Sequence, residues 1–566
     1  MRDETQRKVD AVRKRRSEVE NHLIDEYSAG YIDRREFVRR GAVVGMSLSA
    51  VSFLAAACGS GSSDDTSSGG SEDQANAKVK PGGSIRAGIN APAGALDPVT
   101  VNNQGGLAML GQSGEYLVWS DRNLKPEPRL AESWKPNGDG SVWTFKIRQG
   151  VKFHDGTPMT ARDVAATFNQ LANPDNSSNA LSTFTGVLTK GGASAPDDAT
   201  VRFELEAPNG NFPYITSSDN YNAIIVPRNL KGDWDKTFMG TGPWKLRKYT
   251  PNVGVTYTKN PDYWDKKRLP NADNTEIRFY SKEQAAVLAL QSGEVDLLGQ
   301  FSVTGGKSLL SDPQVKVVQL RSAAHRQVHM RGDKEPFEDK RVRQAMALLV
   351  NRAGIVDGLF EKKADLGNDH PFAPVYPSTD KSTPQRKQDV EKAKQLLADA
   401  GKADGFSVQL DGWDGFEMPD LAQLIQNDAK AAGINIRLNI TDSASYYGDA
   451  VYGKSRWLDS NMGITEYGHR GVPNVYLGAP LTSDGTWNGA HFKNTDYDKL
   501  VEEYTSALDL QSQRAASKQI QALLNDETPI MFHYFYYYLS ATKPEVAGYD
   551  ISAMGHVDLQ AAGMTA

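Results

Sequence analysis

Cysteine is almost missing from this chain. Its 566 residues carry one, Cys58. A single thiol excludes an intrachain disulfide framework and any zinc site built on several thiolates. An apolar stretch long enough to cross a bilayer is also lacking. The run from Ala42 to Ala57 is about 16 residues diluted by Gly and Ser, short of the ~20 a spanning helix needs. There is no basic excess either. The 64 Lys and Arg stand against 70 Asp and Glu, a net charge of -6, so the positive surplus of a general nucleic-acid binder is absent. No nucleophile elbow, phosphate-binding glycine loop or His-Glu-x-x-His occurs. Neither catalysis nor a cofactor is expected. What remains is an ordinary soluble composition, 39% hydrophobic and 24% charged, in a chain long enough for several lobes.

The first 80 residues read as an address and a tether. Arg34 and Arg35 form a twin-arginine pair, and no charged residue appears from Gly41 to Gly61. A basic segment, a short apolar run and small residues before a cleavage point make a signal peptide, and the arginine pair points to the Tat route. Leu54-Ala55-Ala56-Ala57-Cys58-Gly59 resembles a bacterial lipobox, with Cys58 as the lipidated first residue of the mature chain. The signal is expected over 1–57 and a Gly/Ser/Asp-rich flexible tether over 58–81. Without residues 1–57 the net charge becomes -8. An acidic, tethered body suits a diffusing small ligand better than an anionic surface.

From Gly82 the pattern becomes globular. Ser84 to Ile89 reads as an opening strand, and Trp143, Phe145 and Ile147 alternate as in a half-buried strand. Ser281 and Gln284 fit a capping box ahead of a helix whose apolar stripe would start at Ala285 and Leu288. Val342, Ala345, Met346 and Leu349 repeat at helical spacing. Val390, Ala393, Leu397 and Ala400 do the same, with Gly401 as a stop. Tyr497, Leu500, Val501, Tyr504 and Leu508 predict a further helical face. Strands interleaved with helices imply an α/β protein.

Motifs carry the reading further. Leu130-Ala131-Glu132-Ser133-Trp134, Trp143 to Arg148, Gly150-Val151-Lys152-Phe153-His154-Asp155-Gly156-Thr157-Pro158 and Ala161-Arg162-Asp163-Val164 resemble, in order and spacing, the hallmark segment of the family 5 extracellular solute-binding proteins. Gly240-Thr241-Gly242-Pro243-Trp244, Asn260-Pro261-Asp262-Tyr263-Trp264, Gly293-Glu294-Val295-Asp296 and Pro336 to Ala345 extend the resemblance. It implies an α/β, two-lobed periplasmic-binding-protein-like fold with a hinge and an additional subdomain in lobe I. Lobe I would take 82–112, 241–328 and 534–566, the subdomain 113–240 and lobe II 329–533. Hinge crossings would lie near 326–333 and 530–536. It also implies a monomer that encloses a small-molecule or peptide-like ligand. Its partners would be an ABC permease and ATPase complex, and the membrane through the lipid anchor. A peptide-signal receptor, a nickel-type metal-complex binder and a secreted hydrolase are the alternatives.

Site candidates follow from the same resemblance. In peptide-binding members, the stretch matching Gly463 to Asn474 carries a tryptophan after the glycine. Four residues before the proline it carries an aspartate that holds the ligand's α-ammonium group. Here those places are Ile464 and His469, with Glu466, Tyr467 and Arg470 beside them. Arg470 favours an anion, and Glu466 is a substitute partner for an amine. Trp413 follows a lobe II strand, Asn103 follows Leu96-Asp97-Pro98 in lobe I, and Arg331 lies at the expected hinge. His154 with Asp155 reads as a polar turn, and the aromatic run from Met531 to Leu539 as a buried crossing strand. His325 and His329 are the residues a nickel-type site would draw on.

Overall fold

The computed structural model describes residues 79–566, apart from 93–95, 230–233 and 235–237. Arg34, Arg35, Cys58 and the tether up to residue 78 lie outside the described residues. All of the described chain except Asp380–Pro384 belongs to one compact unit, and that unit holds two large sheets.

The first sheet has seven strands, in the order Lys316–Leu320, Tyr538–Thr542, Leu297–Phe301, Ser84–Asn90, Asn274–Tyr280, Gly254–Lys259 and Trp244–Thr250. The opening strand Ser84–Asn90 lies at its centre, parallel to Asn274–Tyr280 on one side and to Leu297–Phe301 on the other. Ile85, Ala87 and Ile89 point into the core, as the two-residue period of a strand requires. Arg86, facing outward, forks onto Asp296 at 2.5 and 3.1 Å, which ties the Gly-Glu-Val-Asp segment to this strand.

The second sheet has six strands: Ala364–Leu366, Ile530–Tyr536, His325–Met330, Met462–Tyr467, Ser407–Trp413 and Asn435–Thr441. Its last three are parallel neighbours. A four-stranded sheet, Ala131–Pro136, Val142–Ile147, Thr200–Glu204 and Ala193–Ser194, builds a separate subdomain. Trp143, Phe145 and Ile147 face its core. There Phe145, Phe203 and Phe212 meet edge to face at 5.0–6.2 Å, the arrangement that ring quadrupoles prefer. The His154 turn is structural. His154 Nε2 meets the Gly242 carbonyl at 2.9 Å, and Asp155 accepts from the Thr157 backbone N–H at 2.9 Å.

The chain passes between the two large sheets over residues 321–324 and again at Tyr537. The expected crossing at 326–333 starts instead inside the strand His325–Met330, and the one at 530–536 coincides with the strand Ile530–Tyr536. All six residues of His325–Met330 are buried and pair with strands on both sides, so no hinge bends there. The aromatic run divides at the second crossing, with Ile530–Tyr536 in one sheet and Tyr538–Thr542 in the other.

The helix Lys340–Leu349 buries the four residues its periodicity selects, whereas Val390–Asp399 buries Ala393 and Leu397 and leaves Val390 and its C-cap Ala400 half-buried, and Gly401 follows with φ +72°. The helix Glu283–Ser292 departs from expectation. Lys282 is its N-cap, with no side-chain capping bond, and the Glu283 carboxylate bonds to Ser302 instead. Ala286, Val287, Ala289 and Leu290 are buried, while Leu288 is 56% exposed. The sheet takes the face carrying the greater apolar volume. Leu508 lies past the helix Thr495–Ser506 and is 44% exposed.

Candidate functional site

The loop Gly468–Pro473 leaves the strand Met462–Tyr467 and ends at the short helix Asn474–Gly478. The aromatic content of its surroundings fixes its shape. Tyr476 OH donates to the Gly468 carbonyl, and Tyr376 OH donates to the Arg470 carbonyl at 2.8 Å. His469 is buried, and its Nδ1 accepts from the Ala323 backbone N–H at 2.9 Å, which leaves the ring proton on Nε2. Burial lowers the His469 pKa to about 3, so the imidazole is neutral at pH 7. His469 N–H donates to Tyr538 OH at 3.2 Å.

Arg470 meets the subdomain. Its guanidinium lies 5.8 Å from the Tyr221 ring centroid, with Nη1 3.4 Å from the Tyr221 hydroxyl. Tyr221 in turn packs on His556, ring centroids 5.7 Å apart. Burial works against the Arg470 charge. The phenols of Tyr221, Tyr476 and Tyr538 hold it, on balance, above its ordinary pKa. Among the described residues no carboxylate lies within ion-pair distance of it. His556 lines a small recess on the lobe I side with Asn90, Gln104 and Gln300, and burial lowers its pKa to about 4. Three parts of the chain therefore converge on one seam: the four-stranded subdomain through Tyr221, the loop after the strand Met462–Tyr467 through His469 and Arg470, and the chain from Tyr538 to His556 that follows the second crossing.

A second patch lies at the carboxyl ends of the parallel strands of the six-stranded sheet, where α/β sheets form ligand crevices. Trp413 Nε1 donates to Glu466 Oε2 at 2.9 Å, and Tyr447 OH donates to the same oxygen. Arg326 pairs with Glu417 at 3.2 Å and lies 4.8 Å from the ring centroids of both Phe416 and Tyr536. Phe416 is 70% exposed and has φ +52°, a conformation bulky side chains rarely adopt.

The remaining candidates sit elsewhere. Tyr467, the last strand residue before the loop, is buried and stacked on His325, centroids 5.5 Å apart. Arg331 pairs with Asp333 at 2.8 Å and donates to the Asp459 carbonyl at 3.0 Å. It follows the end of the strand His325–Met330 opposite His325, about 20 Å away at a strand's ~3.4 Å rise. Asn103 is the N-cap of the helix Gln104–Ser113, its Oδ1 accepting from Gly106 N–H at 2.9 Å. Its neighbour Gln104 reaches the recess. His325 and His329 lie at opposite ends of one strand. Among the described residues no group of three His, Cys, Asp or Glu is placed to hold a metal. Sequence reasoning missed Tyr221 and His556, which carry no motif, and read Tyr538 as part of a crossing strand.

Comparison with known proteins agrees with this architecture. Dipeptide-binding protein DppE of Bacillus subtilis is 26% identical over 509 residues, 83% of this chain and 90% of that protein. Heme-binding protein A of Haemophilus influenzae is 26% identical over 543 residues, 90% of this chain and 97% of that one. The structure of the periplasmic binding protein DppA from Helicobacter pylori in complex with the peptide STSA matches with a TM-score of 0.68 at 21% identity. It covers 86% of this chain and 99% of that one. Residues 125–488 match the family model "Bacterial extracellular solute-binding proteins, family 5 Middle". The chain belongs to that family, the solute-binding components of ABC transporters.

Proposed function

We propose that this protein captures a peptide-like or other small organic solute at the seam between its lobes and hands it, without turnover, to a membrane permease and its ATPase. Arg470 is the observation that carries this reading. It is a charged group at the meeting point of three chain segments, packed on Tyr221, with no carboxylate counter-ion among the described residues. Such a group favours a ligand carboxylate or phosphate, which the guanidinium fork grips in bidentate fashion. Relatives named for dipeptides and for heme support a small organic solute. Glu466, held by Trp413 and Tyr447, offers an acidic position on the lobe II wall. We also assign the Tat signal to Arg34 and Arg35 and the lipid anchor to Cys58, with the body acting as a monomer outside the cytoplasm. No helix among the described residues is long and apolar enough to cross a membrane.

The test is the solute released when purified protein is denatured, identified by mass spectrometry and titrated back by calorimetry. Arg470→Ala is expected to weaken its binding by about 2–5 kcal/mol, the range for truncating one partner of a buried charge pair. Unchanged affinity would remove the seam from consideration.

A further inference from the structure

Asp219 is a buried carboxylate beside this seam. It lies on the subdomain two residues before Tyr221 and is 7% exposed. Neither of its side-chain oxygens has a well-formed hydrogen bond. The Ser120 and Ser217 hydroxyls pull its pKa down in part, but Ser217 donates to the Tyr214 carbonyl at 2.8 Å, and Ser120 approaches Ser217 at 3.5 Å. The other charged neighbour, Asp121, has the same sign, and Tyr116 and Tyr214 are neutral phenols packed beside it. Across the seam, the carboxylate lies against the backbone of Gly471, the residue after Arg470. A Cβ built there would fall 1.7 Å from Asp219 Oδ2. Glycine at 471 is what lets the carboxylate reach the loop.

A carboxylate taken out of water needs a cation, several hydrogen bonds or a proton. Among the described residues the protein supplies no cation, and the Ser120 and Ser217 hydroxyls offset only part of the cost of burial. The groups that do belong to the protein at this seam are arranged for a ligand of mixed charge: an anion seat at Arg470 and, one residue on, a naked carboxylate. The other acidic candidate, Glu466, is already engaged by two donors.

We propose that Asp219 is the seat for a cationic nitrogen of the captured solute, so that the ligand presents an amine toward the subdomain and an anionic group toward Arg470. This rests on the peptide-like reading above and narrows it to ligands with a free basic nitrogen. Burial raises the Asp219 pKa to about 7, so the carboxylate accepts a proton in the absence of an ammonium and exchanges it for one.

The experiment incubates the protein at pH 8 with a casein hydrolysate of di- and tripeptides, or with the same hydrolysate after acetylation of its amines. Retained peptides are counted by mass spectrometry. The wild type is expected to retain free-amine peptides at least tenfold over acetylated ones, and Asp219→Asn to retain both at the low level. Equal retention of the two hydrolysates by the wild type, or unchanged retention by Asp219→Asn, overturns the proposal and leaves the peptide-like reading standing. Retention of neither by the wild type overturns both. Asp219→Asn removes an uncompensated buried charge, so its ligand-free melting temperature at pH 8 is expected to equal or exceed that of the wild type. A lower one would mean the protein itself partners the carboxylate and would equally overturn the proposal.

Discussion

The same carboxylate makes a prediction that needs no ligand. Asp219 has a folded-state pKa near 7 against 3.8 for the free side chain, with burial as the cause. A raised folded-state pKa means the native protein holds a proton that the unfolded chain has released. Stability from this group is then complete below about pH 4 and is lost as pH rises through about 7. The shift spans about 3 pH units, or about 4 kcal/mol in full. Between pH 5 and pH 8 it amounts to roughly 2.7 kcal/mol. The buried histidines His469 and His556, with pKa values lowered to about 3 and about 4, act with the opposite sign. They take on protons only in the unfolded chain between about pH 4 and 6.5, so they add stability as pH rises. Both proteins share them, so they cancel when wild type is compared with Asp219→Asn. Urea denaturation of each at pH 5 and pH 8 isolates the aspartate. Asp219→Asn is expected to gain roughly 2–3 kcal/mol on the wild type over that interval, a large fraction of the 5–15 kcal/mol typical of a folded domain. Parallel behaviour of the two proteins would refute the account of Asp219 as an uncompensated buried acid.

The export assignments give two further predictions. Cys58→Ser is expected to leave the body in the soluble fraction after a salt wash with ligand affinity unchanged, as assayed by membrane fractionation and calorimetry, because stable anchoring depends on the acyl chains. Replacing Arg34 and Arg35 together by Lys is expected to strand the precursor in the cytoplasm. Normal export of that variant in cells lacking the Tat translocase would refute the assignment.

How much of this was legible in the sequence depended on whether the signal was local. Trp143, Phe145 and Ile147 alternate, and nothing competes with the strand they predict. The helix Glu283–Ser292 offered two apolar faces, one through Ala285 and Leu288 and one through Val287 and Leu290. Only the sheet it packs on decides between them. The strand His325–Met330 reads His-Arg-Gln-Val-His-Met, and the family resemblance placed a hinge crossing close to it. Yet it is the interior of a sheet, because its neighbours on both sides supply backbone partners and aromatic cover. At the site, the loop from Gly463 to Asn474 was visible because it departs from a family pattern at His469. Tyr221 was invisible. It reaches Arg470 across 249 residues of chain, and no spacing rule encodes a contact made by the docking of a subdomain.

The loop is held by more than the lobe that carries it. Ala323, in the first crossing, donates to His469 Nδ1, and Tyr538, just past the second, accepts from His469 N–H. The two crossings are themselves joined: Ser322 donates to the Tyr536 carbonyl at 2.6 Å, and Tyr536 N–H to the Ala324 carbonyl at 3.0 Å. Arg321 reaches Tyr537 OH at 3.2 Å and Asp365 at 2.6 Å, and Tyr537 OH donates to Asp365 at 2.9 Å. The chain passes from one large sheet to the other through residues 321–324 and 537, and one of these, Ala323, with Tyr538 next to Tyr537, holds His469. Arg470 is the next residue, so the backbone that carries it is tied through His469 to Ala323 on one side of the crossings and to Tyr538 on the other.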